Sequence, residues 1–333
     1  MTYIFKKNIN GKNYYYLRIS KRIKDKVITK DIAYLGTNPE KIESRLNDIP
    51  QKYKGEIRKA YRNIKKYIES EYYENKIKKI KSNEFLDNNL LKKIDAVKLH
   101  YNSKFEKLDD LTKKEIFKNF IIDFAYNTTS IEGNTITLEE AEKLLNENIA
   151  PNDKTLREIY DLQNTEKVFM EILESNKEIT HKLIIDIHDK LVENIDKRKG
   201  YRTHEIRVFK TTFQSSPYIY IKTDLDILLK WFNENKKKLH PVVLAGIFHQ
   251  KFEKIHPFSD GNGRTGRILM CYMLMKKKYP PIIIRKKRRA EYLKFIDEGN
   301  KGDLNSSDPK YFKNLINYLG EEIIDNYWNN FLT

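Results

Sequence analysis

The stretch that most constrains how this chain can fold joins an apolar helical pattern to a polar, glycine-rich turn. It covers residues 256–267 and has the sequence HPFSDGNGRTGR. The apolar run 268–275 follows directly, so the pattern predicts that one helix ends at Pro257 and that a buried helix begins at about Gly263. A plain turn between two helices accounts for this backbone. It does not explain why a histidine, a carboxylate and two guanidinium groups lie within one turn.

The glycines and arginines of the turn suit the binding of a polyphosphate. Gly261 and Gly263 allow positive φ angles and let phosphate oxygens approach the backbone N–H groups. The N-terminus of the following helix favours an anion through its open N–H groups and its dipole. Arg264 and Arg267 are three residues apart, so they share one helix face from which both can bind phosphate. These residues predict an anion site at the start of the helix.

Two further residues of the turn predict chemistry beside that anion. The Asp260 carboxylate is a hard oxygen ligand of the kind that binds Mg²⁺ together with substrate phosphates. His256 is a candidate general base near neutral pH. A structural, hydrogen-bonded histidine is the alternative for His256, and its place beside a phosphate-binding turn favours the base.

Three motifs resemble one known family. The turn is similar at every fixed position to the signature of the Fic (filamentation induced by cAMP) family, His-x-Phe-x-(Asp/Glu)-Gly-Asn-Gly-Arg-x-x-Arg. Upstream, residues 128–133 (TTSIEG) resemble the inhibitory motif of that family, (Ser/Thr)-x-x-x-Glu-(Gly/Asn). Residues 200–202 (GYR) resemble the start of its substrate-binding flap. The resemblance covers residues from about 110 to 320.

The resemblance implies AMPylation, in which AMP is transferred from ATP, as co-substrate, to a Ser, Thr or Tyr hydroxyl of a protein. His256 would deprotonate the hydroxyl, and Asp260 would hold Mg²⁺ on the phosphates. The turn backbone and side chains would cradle the nucleotide through Gly261, Asn262, Gly263, Arg264 and Arg267. Such a reaction depends mainly on positioning and on neutralising charge, which these groups can supply.

The resemblance also implies an inhibitory residue and an adenine pocket. Glu132 would be the inhibitor, at the end of a helix over about 110–133, with Arg267 as its partner. A carboxylate that only caps a helix end is the alternative. Tyr292 and Asn300 fall where related proteins place adenine-pocket residues, and a core tyrosine and a helix-end asparagine are the alternatives.

The protein partner would bind at the flap, over residues of about 205–221. The β-branched and aromatic segments 205–209 and 218–221 predict two strands around a turn at 214–217. In the family-like interpretation the flap holds a segment of the target protein as an added strand. A plain structural hairpin is the alternative. The chain itself, by autoAMPylation, and a second copy in a homodimer are further partners to consider.

Two other functions stay open from the sequence. The same site could remove AMP, with Glu132 orienting a water molecule, or transfer another phosphate-linked group. The chain could instead be a nucleic-acid-binding or toxin-regulating protein with vestigial chemistry, although intact His256 and Asp260 argue against that. No apolar run approaches the length of a membrane span and the first ten residues show no secretory pattern, so we expect a cytoplasmic location without membrane contact.

Basic residues are concentrated at the N-terminus. Residues 1–100 contain 25 Lys and Arg against 12 Asp and Glu, whereas the remaining residues contain 39 against 35. The Asn10-Gly11 pair between alternating segments predicts a hairpin, and a third strand and a charged helix follow. A basic sheet with aromatic residues can bind nucleic acid, but an accessory domain whose lysines face water is the alternative. This charge step predicts a separate module.

The sequence therefore predicts a mainly α protein in two parts. Residues 1–85 form a basic α+β accessory module with a hairpin or sheet and a helix. Residues 86–333 form a Fic-like helical catalytic domain with a small β-hairpin flap. Within it, Thr137 and Glu140 predict a capping box that opens a further helix.

Overall fold

A computed structural model of the protein describes residues 1–206 and 215–332. The fold is mainly helical, as the sequence predicts, with one antiparallel sheet at the N-terminus. The strands are β1 (Thr2–Ile9), β2 (Lys12–Ile23) and β3 (Lys26–Gly36). The helices are α1 (Ile42–Asn47), α2 (Gln51–Lys76), α3 (Asn88–Ser103), α4 (Asp110–Ile131), α5 (Leu138–Glu147), α6 (Leu156–Glu174), α7 (His181–Leu191), α8 (Ile221–Asn235), α9 (Pro241–Ile255), α10 (Asn262–Lys276), α11 (Arg289–Gly299) and α12 (Pro309–Asn330).

The N-terminal sheet has the order β1-β2-β3 and forms as the turn chemistry requires. Asn10 and Gly11 have φ angles of 49° and 78°, so the two-residue turn uses the left-handed conformation that this pair favours. Tyr15, Leu17 and Ile19 alternate along β2 and are buried. Tyr15 and Leu17 belong to a small apolar cluster that also contains buried residues of α2. The sheet therefore covers one face of a long helix.

A second, much larger apolar cluster begins at Phe85 and runs to the C-terminal helix. The helices α9 and α10 lie at its centre, and almost all of their residues are buried. Gly246 on α9 allows α12 to approach closely, since a Cβ atom there would lie 2.4 Å from Ile316 Cδ1. The turn between α9 and α10 is thus held between two buried helices, which is what positions the candidate site.

Polar contacts join the long helix α2 to the C-terminal helix α12. Arg62 donates a hydrogen bond to the carbonyl oxygen of Asn329 (2.6 Å), and Lys66 lies 3.4 Å from a carboxylate oxygen of Asp325. His100 on α3 is buried and lies 2.5 Å from the hydroxyl of Tyr327. The two apolar clusters are therefore linked through α2. The division of the chain at residue 85 stays a prediction.

The predicted second strand of the flap is wrong. Residues Tyr218–Tyr220 form a 3₁₀ turn that begins after Pro217, and α8 follows from Ile221. The reason lies in the apolar spacing: Ile221, Leu225 and Leu228 are buried at helical intervals, so Ile221 belongs to a helix and not to an alternating strand. Of the predicted first strand, residues 207–209 lie outside the described residues, and 205–206 are not in a strand.

The helix signals closest to the site are confirmed. Thr137 and Glu140 form the predicted capping box at the start of α5. The helix predicted over about 110–133 corresponds to α4, and Glu132 is its C-terminal cap. Among the described residues, no helix is both long enough and apolar enough to cross a bilayer.

Candidate active site

The turn between α9 and α10 is shaped by one asparagine and one glycine. Gly261 has a φ angle of 75° and caps the N-terminus of α10. The Asn262 side chain accepts a hydrogen bond from Phe258 N (2.9 Å) and donates one to Phe258 O (2.8 Å). Because both polar groups of Asn262 bind the Phe258 backbone, this side chain shapes the cradle and leaves the open N–H groups of the first helical turn to bind an anion.

His256 lies at the end of α9 in a left-handed conformation, with a φ angle of 53°. Its Nδ1 atom lies 3.3 Å from the carbonyl oxygen of Glu253. A carbonyl oxygen can only accept, so this contact places the proton on Nδ1 and leaves Nε2 as the basic nitrogen. Burial lowers the pKa of His256 below its usual value, which keeps the imidazole neutral and able to take a proton at neutral pH.

Arg202 links the backbone of His256 to His204 and Ser216, which lie on either side of the segment 205–215. Its side chain is buried, and Nε donates a hydrogen bond to the carbonyl oxygen of His256 (2.9 Å). The other guanidinium nitrogens donate to carbonyl oxygens of His204 (2.9 Å) and Ser216. One guanidinium therefore holds the residues on either side of the segment 205–215 against the turn that carries His256.

Arg264 lies between two carboxylates at the start of α10. Its Nη1 donates to Asp161 on α6, and its Nη2 lies 3.6 Å from Asp260. The Nε atom of Arg264 is buried without a hydrogen-bond partner within the described structure. Asp260 is also bound by Arg157, whose side chain is more than half exposed. The pairing leaves Arg264 with an unused donor beside the anion site.

Arg267 is paired with the predicted inhibitory residue. Its Nη2 donates to Glu132 Oε1 (2.6 Å) and to Thr128 O (3.0 Å), and its Nε donates to Thr128 Oγ1 (2.6 Å). Arg267 is 2% exposed, whereas the Glu132 side chain is 46% exposed. Gly263 makes this pair sterically feasible, because a Cβ atom there would lie 2.2 Å from Glu132 Oε1. The Glu132 carboxylate thus lies beside the N-terminus of α10.

Beneath Arg267 lies a layer of buried titratable groups. The hydroxyl of Tyr292 lies 2.7 Å from His249 Nε2. His249 Nδ1 and Glu253 Oε1 both lie near Gly266, and each is buried with no hydrogen-bond partner among the described residues. Burial raises the pKa of Glu253 to about 7 and lowers that of His249 to about 3. This layer supports the first turn of α10 from below.

The two predicted adenine-pocket residues differ in their surroundings. Tyr292 is buried, and its hydroxyl lies 2.7 Å from His249 Nε2. Asn300 is the C-terminal cap of α11, where its Oδ1 accepts from Gln250 Nε2 (2.9 Å) and its backbone oxygen accepts from Lys254 (3.0 Å). The Tyr292 side chain interacts with Arg267, and the adenine-pocket roles of Tyr292 and Asn300 stay predictions.

The donor set fits a magnesium ion that is shared with a substrate. In the described parts of the chain, no three His, Cys, Asp or Glu residues are grouped so as to hold a metal by themselves. Asp260 is partly exposed beside the anion site and supplies one carboxylate, which is the usual protein contribution to Mg²⁺ held by phosphates. Arg157, whose side chain is exposed, would have to release that carboxylate.

Several residues of the site were not singled out by the sequence. Asp161, Arg157 and Glu253 are single charged residues on helices, with no motif around them. They lie beside the turn only because α6 and α9 pack against α10. Thr128 is part of the TTSIEG motif, so its place beside Glu132 is the one local signal that could have marked it.

Known proteins resemble the region that contains this site. The Fic/DOC family matches residues 178–274. Protein adenylyltransferase Fic of Drosophila ananassae is 34% identical over 202 residues, which are 58% of this chain and 39% of the relative. The protein of the same name from Drosophila willistoni is 33% identical over 231 residues, or 66% of this chain and 44% of the relative. This chain spans about two fifths of the length of these curated relatives.

Solved structures share the fold. A Fic domain containing signaling protein from Bacteroides thetaiotaomicron superposes with a TM-score of 0.64, at 23% identity, over 70% of this chain and 94% of the other. Fic-1 from C. elegans superposes with a TM-score of 0.60, at 25% identity, over 73% of this chain and 72% of the other. The helical core around the candidate site therefore has the fold of these proteins.

Proposed function

The chain carries a Fic domain of the Fic/DOC family, and we propose that it is a self-inhibited adenylyltransferase that transfers AMP from ATP to a hydroxyl group of a protein. The observation that carries the proposal is the start of α10, which follows the turn that carries His256 and contains the buried side chains of Arg264 and Arg267. The Drosophila relatives are themselves named as protein adenylyltransferases.

The reaction follows from the positions of these groups. The polyphosphate of ATP would bind at the α10 N-terminus, with its outer phosphates on Arg264 and Arg267. His256 Nε2 would take the proton of the target Ser, Thr or Tyr hydroxyl as its oxygen forms a bond to the α-phosphorus. The bond from the α-phosphorus to the bridging oxygen breaks, and pyrophosphate leaves. Mg²⁺ held at Asp260 would neutralise charge on the phosphates.

Self-inhibition would come from the Glu132–Arg267 pair. A carboxylate on Arg267 occupies a group that would otherwise bind an outer phosphate, and it adds negative charge beside that phosphate. ATP would then bind with its α-phosphate poorly aligned for attack, and small misplacements cost large factors in rate. The exposed Glu132 side chain lies at a helix end and can leave without unfolding the core.

The target protein would bind beside His256, where Arg202 binds the backbone of His204 and Ser216 on either side of the segment 205–215. The chain itself can serve as a target by autoAMPylation. A second candidate reaction at the same site is removal of AMP from a modified protein. The partial exposure of Glu132 favours that reaction, because its carboxylate can contact a water molecule near the turn.

Labelled ATP tests the proposal. The purified protein is incubated with Mg²⁺ and ATP that carries the label on either the α- or the γ-phosphate, in the wild-type form and as Glu132→Gly. Label incorporated from the α-phosphate alone supports AMP transfer. Label from the γ-phosphate alone shows phosphate transfer, and no incorporation by Glu132→Gly would contradict the proposed function. Release of AMP from a pre-labelled protein by wild type tests the second reaction.

A further inference from the structure

One side of the N-terminal sheet carries a group of aromatic side chains that face solvent. Alternate residues of a strand point to opposite faces. Tyr15 and Leu17 of β2 belong to the apolar cluster with α2, and the buried Ile19 lies on the same face. The residues between them, and those opposite them on the neighbouring strands, lie on the other face. We call this the outer face. Its aromatic residues are Tyr3, Phe5, Tyr14, Tyr16 and Tyr34.

The rings on the outer face are close enough to form one surface. The ring centroids of Tyr34 and Tyr16 are 5.3 Å apart, and those of Tyr34 and Tyr14 are 6.4 Å apart. Tyr34 remains 51% exposed. The Arg18 guanidinium lies 3.5 Å from the centroid of Phe5. Cross-strand packing explains why these rings touch one another, but it does not explain the charge that surrounds them.

The sheet is strongly basic, and most of its charge is unpaired. Residues 1–36 contain nine Lys and Arg against two Asp. Lys6 is paired with Glu71, and Arg18 with Asp31. Within the part of the chain that the structure describes, no ion pair is formed by six exposed cations of the hairpin ends: Lys12, Lys21, Arg22, Lys24, Lys26 and Lys30. A surface of this kind attracts a polyanion, because binding releases the counterions of its phosphates.

The polar groups of the outer face distinguish a single strand from a duplex. Arg18 on the outer face is held by Asp31 and Phe5, so the side chain of this face best suited to base edges is already engaged. The aromatic rings and lysine side chains of the outer face remain available to a ligand. A duplex hides the flat faces of its bases, whereas a single strand exposes them for stacking on aromatic side chains.

We propose that the outer face binds single-stranded nucleic acid without strong sequence preference. Bases stack on the surface formed by Tyr14, Tyr16 and Tyr34, and the phosphates are held by the unpaired cations that share this face, among them Lys12 and Arg22 at the two ends of β2. The site lies on the basic sheet and shares no residue with the α9–α10 turn. It is therefore independent of the proposed transferase reaction.

Fluorescence anisotropy of the full chain tests this site. The probes are a fluorescein-labelled oligo(dT) of about 20 nucleotides, which exceeds the site of one small binding domain, and a duplex of the same length. We expect the full chain to bind oligo(dT) more tightly than the duplex. We also expect the affinity for oligo(dT) to fall about tenfold or more between 50 and 200 mM salt, as counterion release requires. Absence of oligo(dT) binding at low salt, or tighter binding of the duplex, overturns the proposal.

Ring substitutions separate stacking from general charge. Tyr34→Ala should weaken oligo(dT) binding about tenfold, while Tyr34→Trp should preserve it, because stacking depends on the ring. Tyr61→Ala is the matched control, since Tyr61 is a 43% exposed tyrosine on α2 and outside the outer face. Equal effects of Tyr34→Ala and Tyr61→Ala, with both proteins folded by circular dichroism, would leave no role for the outer face. A loss of binding in Tyr34→Trp equal to that in Tyr34→Ala would have the same meaning.

Discussion

The first turns of α10 and the hairpin of β2 and β3 use charged side chains in opposite ways. Every residue from Gly261 to Leu274 is buried, including two arginines, and each arginine is paired with a carboxylate. Every residue from Lys21 to Asp31 is exposed, and the cations of this segment are unpaired within the described structure. Both segments are basic, but only one of them lies inside an apolar cluster.

This difference shows what burial does to charge. A guanidinium inside a protein needs a partner, because an unpaired buried charge is costly. In the proposed function that partner is replaceable at α10, since a phosphate would take the place of the Glu132 carboxylate. On the sheet, water satisfies the cations, so the sheet needs no internal partner and can exchange water for an external polyanion. In the two proposals, the buried site would be regulated from within the chain, and the exposed surface would respond to ligand and salt.

Loss of the proposed base is expected to have the largest effect at the buried site. His256→Ala should reduce AMP transfer by about 10² to 10⁴-fold, because proton transfer to a placed base supplies a factor of that size. ATP binding should change little, since the α10 turn and its arginines hold the nucleotide. The rate of label transfer from α-labelled ATP and the ATP affinity by calorimetry check this prediction. Parallel loss of ATP affinity would make His256 a structural residue.

Removal of the inhibitory carboxylate should raise the activity. Glu132→Gly frees Arg267 for a phosphate, and we expect autoAMPylation to increase about tenfold or more, because alignment of the reacting groups has large effects on rate. The variant should also lose stability without nucleotide and regain more of it with ATP than wild type does, since a buried guanidinium is left with one partner fewer. Rates and thermal melts with and without ATP measure both effects.

The control for this prediction is Glu132→Gly combined with His256→Ala, which should be inactive but should retain the ATP-dependent stabilisation. A folded Glu132→Gly protein with an unchanged or lower rate would falsify self-inhibition through this residue.

Loss of the Arg202 hydrogen bonds should reduce AMP transfer less than loss of the His256 base but more than loss of a surface charge. Arg202→Lys keeps the charge but cannot reach His256, His204 and Ser216 together, so we expect transfer to fall about tenfold through loss of positioning. ATP affinity should be retained. Arg198→Lys is the matched control, because Arg198 is exposed and its salt bridge is to Asp196. If both variants lose the same activity, the hydrogen bonds of Arg202 do not position the site.

Glu253 should change the pH dependence of stability. Its pKa is raised by burial to about 7, above the usual 4.5, so between these pH values the folded protein binds more protons than the unfolded one. Stability is therefore expected to fall from pH 5 to pH 8 by on the order of 2 kcal/mol because of this group. Glu253→Gln should flatten this decline in urea melts. Glu139→Gln, at an exposed position, is the control. An equal decline of stability in wild type and in Glu253→Gln would contradict the raised pKa of Glu253.

The features that the sequence predicts correctly depend on local contacts, and those that it misses depend on distant ones. The Asn10-Gly11 hairpin, the Thr137 capping box and the turn before α10 were predictable, because each depends on a few adjacent residues with strong conformational preferences. The strand predicted at 218–221 was wrong, since four alternating residues also fit the start of a helix whose apolar positions lie further along the chain. Such short segments are decided by what covers them.

The sequence by itself determined the chemistry of the turn at 256–267 and the excess of cations at the N-terminus, because residue type and spacing are local properties. Only the tertiary structure decided which partners those charges have. Glu132 meets Arg267 across 135 residues, and Asp161 meets Arg264 across 103. It also directed the Tyr292 hydroxyl at His249 and gathered the sheet's rings on one face. These placements follow from helix and strand packing, which buries some charges against each other and leaves others in water.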